Sequence, residues 1–354
     1  MPIASDLPLY DSHVTGGARF GERRGQPVVT SYGDTAGEYV AALEGAALVD
    51  LPLRALLEAS GPSRQKFLQG MLSHDVAGQP AGRGCPAALL TARGAVQALV
   101  RVLVEKDLVV LETDVDRVGP VQEVLEYYRV AAPVRFAVRP TSVVALLGPT
   151  AGEALRAAGV LTLPVELEAH QTVTIGGQPV RLVRAGDLPG GGFVVHAAPE
   201  AAPAVWQALL AAGARPVGLD AVDTRRVETL RPWYGSDVTE ENLLHETGLV
   251  AERHSSAKGC YVGQEVVARL EARGAHVNKA LRGLRLAAPT PAGAPVTADG
   301  KDVGRVTTPA VSPRLGPIAL AYVHRGQFAA GTAVEVGGAR ATVVTSFENG
   351  EAAP

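Results

Sequence analysis

The run Lys258-Gly259-Cys260-Tyr261-Val262-Gly263-Gln264-Glu265 places a thiol near a cation and between glycines, just ahead of a predicted helix. Cysteine acts as a nucleophile or metal ligand in its thiolate form, which a nearby cation and the positive end of a helix both favour. The competing interpretation is ordinary packing, because free cysteine is among the most buried residue types. The two glycines indicate a special backbone and a close approach by another group. We hypothesise that Cys260 is a reactive or ligating thiol.

The sequence after this motif predicts a helix with Cys260 at its entrance. Val267 and Leu270 recur at helical spacing and form an apolar face. Glu265 falls in the first turn, where the helix dipole favours a carboxylate, and Gly274 suits the position just past the C-terminal end. The remaining charged residues of this segment either contribute to the site or form a solvated face.

Length and composition limit the class of protein. At 354 residues the chain is longer than one hydrophobic core usually supports, so two or three domains are expected. A hydrophobic fraction of 47% and a charged fraction of 19% are typical of a globular protein rather than a disordered one. The formal net charge of −3 provides no overall field to attract nucleic acid or an anionic membrane. We therefore expect neither a nucleic acid nor a membrane as a partner.

The cysteine count indicates a reducing compartment. Cys85 and Cys260 are the two cysteines of the chain, too few for a disulfide framework, and no CxxC pattern occurs. The sequence contains no apolar leader segment and no long uninterrupted apolar run, so we expect a cytoplasmic protein. His245, His254, Cys260 and His276 match no standard zinc spacing, and no metal site is predicted.

Short strands and helices alternate without the long βαβ repeats of a doubly wound sheet, which predicts an α+β fold. Periodicity and turn residues predict the following elements. Helices are expected at 36–48, 64–71, 115–128, 151–158 and 202–212, and strands at 87–90, 96–104, 108–111, 134–138, 143–147, 173–175, 180–183 and 193–195.

The last sixty residues have a different pattern. Residues 287–295 are rich in proline and alanine and resemble a linker. Beyond them, short apolar runs at 318–323, 334–336 and 341–344 are separated by glycine-containing turns. This pattern predicts a small β-barrel or β-sandwich at the C-terminal end.

The motif at 258–265, with Arg269 four residues beyond the glutamate and Arg273-Gly274 after it, resembles the signature of the YgfZ-type folate-binding proteins. These proteins are relatives of the glycine-cleavage T-protein, and their eukaryotic branch serves mitochondrial iron–sulfur maturation. Residues 60–76 and 85–91 are similar to further segments of the family. With the likeness of the C-terminal barrel, the resemblance covers residues 40–347.

The resemblance also implies a domain organisation. Residues 1–286 would form an aminomethyltransferase-like folate-binding region of mixed sheets and helices, with two subdomains of which the first is discontinuous. Residues 287–354 would form the small C-terminal β-barrel.

Within the motif, the resemblance implies that Lys258 and Cys260 are the functional pair. Lys258 would help to hold tetrahydrofolate or a one-carbon derivative of it, and Cys260 would supply the thiol. Tyr261 and Gln264 belong to the same motif and are included in the predicted folate site.

A second part of the implied folate site lies at residues 223–228. This run, Asp-Thr-Arg-Arg-Val-Glu, is similar to the T-protein segment in which an arginine contacts folate, and Arg226 is the matching position. A guanidinium group can bind the carboxylates of the folate glutamate tail in bidentate fashion. Glu228 is assigned to the same site. The alternative for Arg226 and Glu228 is a surface ion pair.

The chain departs from the aminomethyltransferase pattern at two places. T-proteins carry an aspartate on the strand after Gly94, where this chain has Leu99, and an aliphatic side chain cannot perform acid–base chemistry. T-proteins also have a glutamate that anchors the pterin in a glycine-containing turn. The corresponding region here offers Asp187 as a substitute.

These features favour a tetrahydrofolate-binding accessory protein that supports assembly or repair of iron–sulfur clusters, with iron–sulfur proteins or their assembly machinery as partners. The alternative is a folate-dependent aminomethyltransferase or demethylase. A third hypothesis is an interaction module that has lost its ligand. Tetrahydrofolate at 100 times its dissociation constant would raise the free energy of unfolding by about 2.7 kcal/mol in the first two cases and leave it unchanged in the third.

Overall fold

A computed structural model describes residues 2–347 of the chain. The α-helices of this region are α1 Tyr10–Thr15, α2 Thr35–Glu44, α3 Arg64–Gln69, α4 Val118–Arg129, α5 Ala151–Ala157, α6 Ala202–Ala211, α7 Leu219–Glu228, α8 Val250–Arg253 and α9 Gln264–Ala272. Single 3-10 turns lie at Ala4–Asp6, Leu244–Glu246 and Arg325–Gln327. The strands are β1 Arg19–Arg23, β2 Gln26–Ser31, β3 Ala47–Asp50, β4 Arg54–Ser60, β5 Arg83–Leu90, β6 Val96–Val104, β7 Leu108–Asp114, β8 Arg135–Arg139, β9 Ser142–Leu147, β10 His170–Ile175, β11 Gln178–Ala185, β12 Gly192–Ala197, β13 Arg215–Pro216, β14 Lys279–Leu286, β15 Pro295–Ala298, β16 Lys301–Ser312, β17 Gly316–His324, β18 Ala333–Val336 and β19 Ala339–Val344.

The chain forms two compact units, and each unit draws on separate parts of the sequence. Unit 1 contains the described residues up to Leu90, then Gln97–Val222 and Glu252–Val262, and unit 2 contains Thr91–Val96, Asp223–Ala251 and the described residues from Gly263 onward. The motif is divided between them, because residues 258–262 belong to unit 1 and residues 263–265 to unit 2. None of the helices between residues 2 and 347 has the length and apolar character of a membrane span.

Unit 1 contains three sheets. A two-stranded sheet pairs β1 with β2, a six-stranded sheet has the order β10-β11-β12-β9-β3-β13, and a five-stranded sheet has the order β5-β6-β7-β4-β8. In the six-stranded sheet, β13 runs parallel to β3 while the other pairs are antiparallel. Helices cover these sheets with their apolar faces, as Trp206 and Leu209 of α6 and Leu125 of α4 show by their complete or nearly complete burial.

Unit 2 contains a closed barrel of six strands in the order β14-β17-β16-β15-β18-β19. Alternating residues of its strands, such as Leu284 and Leu286 on β14, point into a shared apolar core. This barrel and the mixed sheets of unit 1 confirm the predicted fold class. The strand β14 lies before residue 287, where the sequence placed the start of the barrel, and the division of the chain at that point stays a prediction.

The predicted helix at 36–48 is wrong in its last four residues. Helix α2 ends at Glu44, and Ala47–Asp50 forms β3, whose four residues are all buried. Short apolar runs are compatible with either a buried helix or a buried strand, so periodicity alone could not separate them. Val40, an apolar residue of α2, is 49% exposed.

A glycine turn between β9 and α5 provides a test of this packing. Gly148 has φ of +94°, and a Cβ there would lie 2.4 Å from the carbonyl oxygen of Gly45. Gly159 has φ of +95° but open space around it. We expect Gly159→Ala to lower the free energy of unfolding by about 1–2 kcal/mol through backbone strain. Gly148→Ala should lower the free energy of unfolding by about 1–3 kcal/mol more than Gly159→Ala, because its Cβ would also clash with the Gly45 carbonyl oxygen. Equal losses in urea denaturation would contradict the close approach.

Candidate functional site

The motif loop presents Cys260 to solvent between two buried neighbours. Lys258 and Tyr261 are each 7% exposed, whereas Gly259 and Cys260 are exposed. A Cβ at Gly259 would meet no described atom within 4 Å, so the expected close approach at this glycine is absent in the described part of the chain. The thiol of Cys260 is therefore accessible rather than packed, which disfavours the core-filling interpretation.

Lys258 directs its ammonium group at the end of α3. Its Nζ donates hydrogen bonds to the carbonyl oxygens of Gln69 and Leu72, and it lies 4.5 Å from the centre of the Tyr261 ring. Carbonyl groups at a helix C-terminus have no intrahelical partner and carry partial negative charge, so a cation is favourable there. Burial lowers the pKa of Lys258 to about 8, against an opposing effect of the Asp75 carboxylate.

Two backbone hydrogen bonds and one side-chain bond attach the rest of the loop to the same segment. The Ser255 amide donates to the Ser73 carbonyl at 3.2 Å, and the Val262 amide donates to the Gly70 carbonyl at 3.2 Å. The Ser73 hydroxyl donates to the carbonyl of Arg253. Residues 253–262 are thus attached along residues 69–73, and within this loop Ser256, Ala257, Gly259 and Cys260 are exposed.

Helix α9 begins and ends as the sequence predicts. Its N-cap is Gly263, which has φ of +86° and so adopts a left-handed conformation that favours glycine. Glu265 lies in the first turn, and Gly274, with φ of +74°, follows the C-cap. Gln264 is the first helical residue and is half-buried. The expected effect of this helix on the Cys260 thiol stays a prediction.

Arg226 is buried in unit 2 and fully engaged there. Its guanidinium donates to Asp223 at 2.7 Å, to Asp237 at 2.5 Å and to the Thr308 hydroxyl at 2.9 Å. It also lies 5.1 Å from the ring centre of Trp233. Burial alone would lower the pKa of Arg226, but Asp237 and Asp223 raise it above its ordinary value. The side chain is 1% exposed.

Glu228, two residues further along α7, is also buried but has different partners. Its carboxylate accepts hydrogen bonds from the Ser312 hydroxyl and from Arg225, and Arg314 lies 3.7 Å away. The alternative of a surface ion pair for Arg226 and Glu228 is therefore wrong, because both side chains are buried in ion pairs with other residues.

The cations that the resemblance assigns to folate do not fit that role in this structure. A carboxylate of the glutamate tail needs guanidinium or ammonium hydrogens that face the ligand. The donors of Arg226 are directed at Asp223 and Asp237, and those of Lys258 are directed at backbone carbonyls. We therefore derive no step of chemistry through folate at these residues.

The two positions that depart from the T-protein pattern lie in unit 1. Leu99 is 5% exposed on β6, and nothing in its side chain can transfer a proton. Asp187 accepts a hydrogen bond from Arg101 and lies 3.7 Å from Arg253 and 4.0 Å from Arg54. Burial would raise the pKa of Asp187, but Arg101 and Arg54 hold it below its ordinary value.

Arg101 is the centre of this buried cluster, and sequence reasoning missed it. It also donates to Glu168 at 2.6 Å and to Glu112 at 2.5 Å, and Glu112 is bonded to His196 at 2.9 Å. An arginine within an apolar strand was the available signal. The Asp187 carboxylate, which the sequence offered as a substitute for the pterin-anchoring glutamate, is paired with Arg101 and lies near Arg54 and Arg253, and its pterin role stays a prediction.

Metal ligation finds no support among the described residues. No group of three or more histidine, cysteine, aspartate or glutamate side chains between residues 2 and 347 is arranged to hold a metal ion. The second cysteine, Cys85, is 2% exposed, and burial raises the pKa of its thiol to about 12. Cys260 is therefore the accessible thiol of the chain.

The mixed sheets of unit 1 and the closed barrel of unit 2 define the fold of the glycine-cleavage T-protein. The chain belongs to this family. The family model described as the GCVT N-terminal domain matches residues 9–251, and that of the glycine cleavage T-protein C-terminal barrel domain matches residues 279–346. The predicted relationship to the T-protein superfamily is confirmed, and assignment to the YgfZ branch stays a prediction.

Similar proteins agree with this membership along most of the chain. An aminomethyltransferase from Rubrobacter xylanophilus is 30% identical over 327 residues, covering 89% of this chain and 86% of the relative. An aminomethyltransferase from Symbiobacterium thermophilum is 31% identical over 355 residues, covering 93% and 92%. The crystal structure of glycine cleavage system aminomethyltransferase T from Bartonella henselae has the same fold, with a TM-score of 0.87, 24% identity, and coverage of 95% of this chain and 96% of that one.

The engagement of Arg226 predicts a large structural effect of removing it. Arg226→Met would leave two carboxylates without their cation, so we expect the free energy of unfolding to fall by about 3–5 kcal/mol without any ligand present. Arg305→Met removes an exposed arginine from β16 and should change the free energy of unfolding by about 0.5 kcal/mol or less. Urea denaturation of both variants measures the difference. A stable Arg226→Met protein would show that Arg226 is free for another role.

The lowered pKa of Lys258 predicts a pH dependence with a defined sign. Between pH 8 and 10.5 the unfolded chain holds a proton on Lys258 that the folded chain has released. Stability rises with pH wherever the unfolded state binds more protons. The free energy of unfolding of the parent should therefore rise relative to that of Lys258→Met across this window, because other groups cancel in the comparison. A constant difference between the two proteins would contradict the burial of Lys258.

Proposed function

We propose that this chain is a tetrahydrofolate-binding accessory protein of the YgfZ kind that supports assembly or repair of iron–sulfur clusters, with the folate held by groups other than Lys258 and Arg226. Its acting group is the thiol of Cys260. The observation that carries this proposal is the exposure of Cys260 on a loop whose flanking residues are buried and hydrogen-bonded to residues 69–73. A thiol held in this way can react with, or ligate, a group delivered from solution or by another protein.

The aliphatic side chain at position 99 supports an accessory role over turnover. Leu99 occupies the position where T-proteins carry an aspartate. A transferase that moves a one-carbon unit onto folate needs a group that manages a proton at the reacting nitrogen. The side chain of Leu99 does not provide it.

A folate-dependent aminomethyltransferase or demethylase is the second candidate. It is favoured by the aminomethyltransferases that are about 30% identical over nearly the whole chain. Purified protein incubated with tetrahydrofolate and an aminomethylated or methylated donor distinguishes the two candidates. Formation of methylene-tetrahydrofolate at a rate set by the enzyme concentration would overturn the accessory role.

The thiol role is tested in a strain that lacks its own protein of this kind. Cys260→Ala should fail to restore the activity of iron–sulfur enzymes, because it removes the accessible sulfur while leaving the loop contacts in place. The matched control is Cys85→Ala, which removes the buried sulfur and should restore most of the activity. Both variants are compared at equal protein levels by immunoblot. Full restoration by Cys260→Ala would exclude the thiol from the function.

A further inference from the structure

We propose that Lys258 is a positioning residue that holds the Cys260 turn on the C-terminal end of α3, and that it does not bind folate. This inference rests on the proposed role of the Cys260 thiol, since that role is what the positioning serves. It differs from the role that the family resemblance implies for the lysine. Lys258 and all of its contacts named below lie within unit 1.

The ammonium hydrogens of Lys258 are already donated to other groups of the protein. Lys258 Nζ has three hydrogens, of which two are directed at the carbonyl oxygens of Gln69 and Leu72. Its remaining side is covered by the aromatic ring of Tyr261 at 4.5 Å. A folate carboxylate would have to displace one of these partners, all of which belong to the protein.

Another reason is the position of the two carbonyl groups. Gln69 is the last residue of α3, and Leu72 lies in the turn that follows, fully buried. A buried carbonyl oxygen without a hydrogen-bond partner destabilises the folded state, so the lysine stabilises the fold by donating to these two oxygens. A lysine stem is long enough to bury its methylene groups while its charged end reaches such a site.

The burial pattern of the loop also sets the direction of the thiol, because two exposed residues lie between two buried ones. Lys258 and Tyr261 point inward and contact each other, so the two residues between them, Gly259 and Cys260, are directed outward. Hydrogen bonds from the backbone amides of Ser255 and Val262 hold the two ends of the loop on the same segment, residues 69–73. The position of the thiol is therefore set without any ligand, by contacts that involve the lysine.

The test compares Lys258→Met with Lys66→Met, both in a Cys85→Ser background. Lys66 is an exposed lysine on α3 itself, so its replacement controls for loss of one charge beside the same helix. A nitroxide label on Cys260 reports the mobility of the turn by electron paramagnetic resonance. Hydrogen exchange of the Val262 and Ser255 amides reports the attachment of the loop, and calorimetry gives the dissociation constant for tetrahydrofolate.

We expect Lys258→Met to increase the mobility of the label and to speed exchange of the two amides by about tenfold or more. The dissociation constant for tetrahydrofolate should stay within about twofold, and Lys66→Met should resemble the parent in every measurement. Unchanged exchange and mobility would overturn the proposal, as would a tenfold loss of folate affinity. If the parent itself binds no tetrahydrofolate, the proposed function fails while mobility and exchange still decide the role of Lys258.

A measurement on the unaltered chain covers the case in which Lys258→Met does not fold. The sequence contains five lysines, so nitrogen-15 labelling of lysine side chains gives a spectrum in which Lys258 can be assigned. Its Nζ signal should be protected from exchange and should not shift when tetrahydrofolate is added. A large shift on titration with tetrahydrofolate would assign Lys258 to the ligand instead.

Discussion

The hydrogen bonds between the Lys258 ammonium group and the carbonyl oxygens of Gln69 and Leu72 determine how this protein can use its accessible thiol. They connect parts of the chain that are 189 and 186 residues apart in sequence. With the lysine buried and directed inward, the adjoining glycine and cysteine must turn outward. The exposure of Cys260 thus follows from the hydrogen bonds that Lys258 donates to carbonyl oxygens at the end of a short helix.

Each unit also contains a buried arginine whose position is fixed by its partners. Arg226 in unit 2 and Arg101 in unit 1 are both buried, and each is surrounded by carboxylates that stabilise its charge. Charges buried in this way are fixed by their partners, because breaking one pair leaves another charge uncompensated. Neither arginine is free to change partners without a large loss of stability.

Local signals in the sequence predicted some of this arrangement well. The ends of α9 were predictable, because a glycine in the left-handed conformation and an acidic first turn act within a few residues. The α+β class followed from strand and turn patterns, which left a barrel and a sandwich open at the C-terminal end; the family resemblance selected the barrel. The end of α2 was missed, because the buried run that forms β3 has no periodicity to separate helix from strand.

The contacts of the candidate site were not predictable from the sequence alone. Lys258 binds backbone carbonyls, which leave no trace in the pattern of side chains. The partners of Arg226 include Thr308, which is 82 residues away, so only the folded chain reveals them. A crystal structure of the protein soaked with tetrahydrofolate tests the central claim most directly. We expect Lys258 Nζ to remain hydrogen-bonded to the carbonyl oxygens of Gln69 and Leu72, with the Cys260 thiol facing solvent. A folate carboxylate bound to Lys258 Nζ in place of those oxygens would show instead that the lysine is a ligand-binding residue.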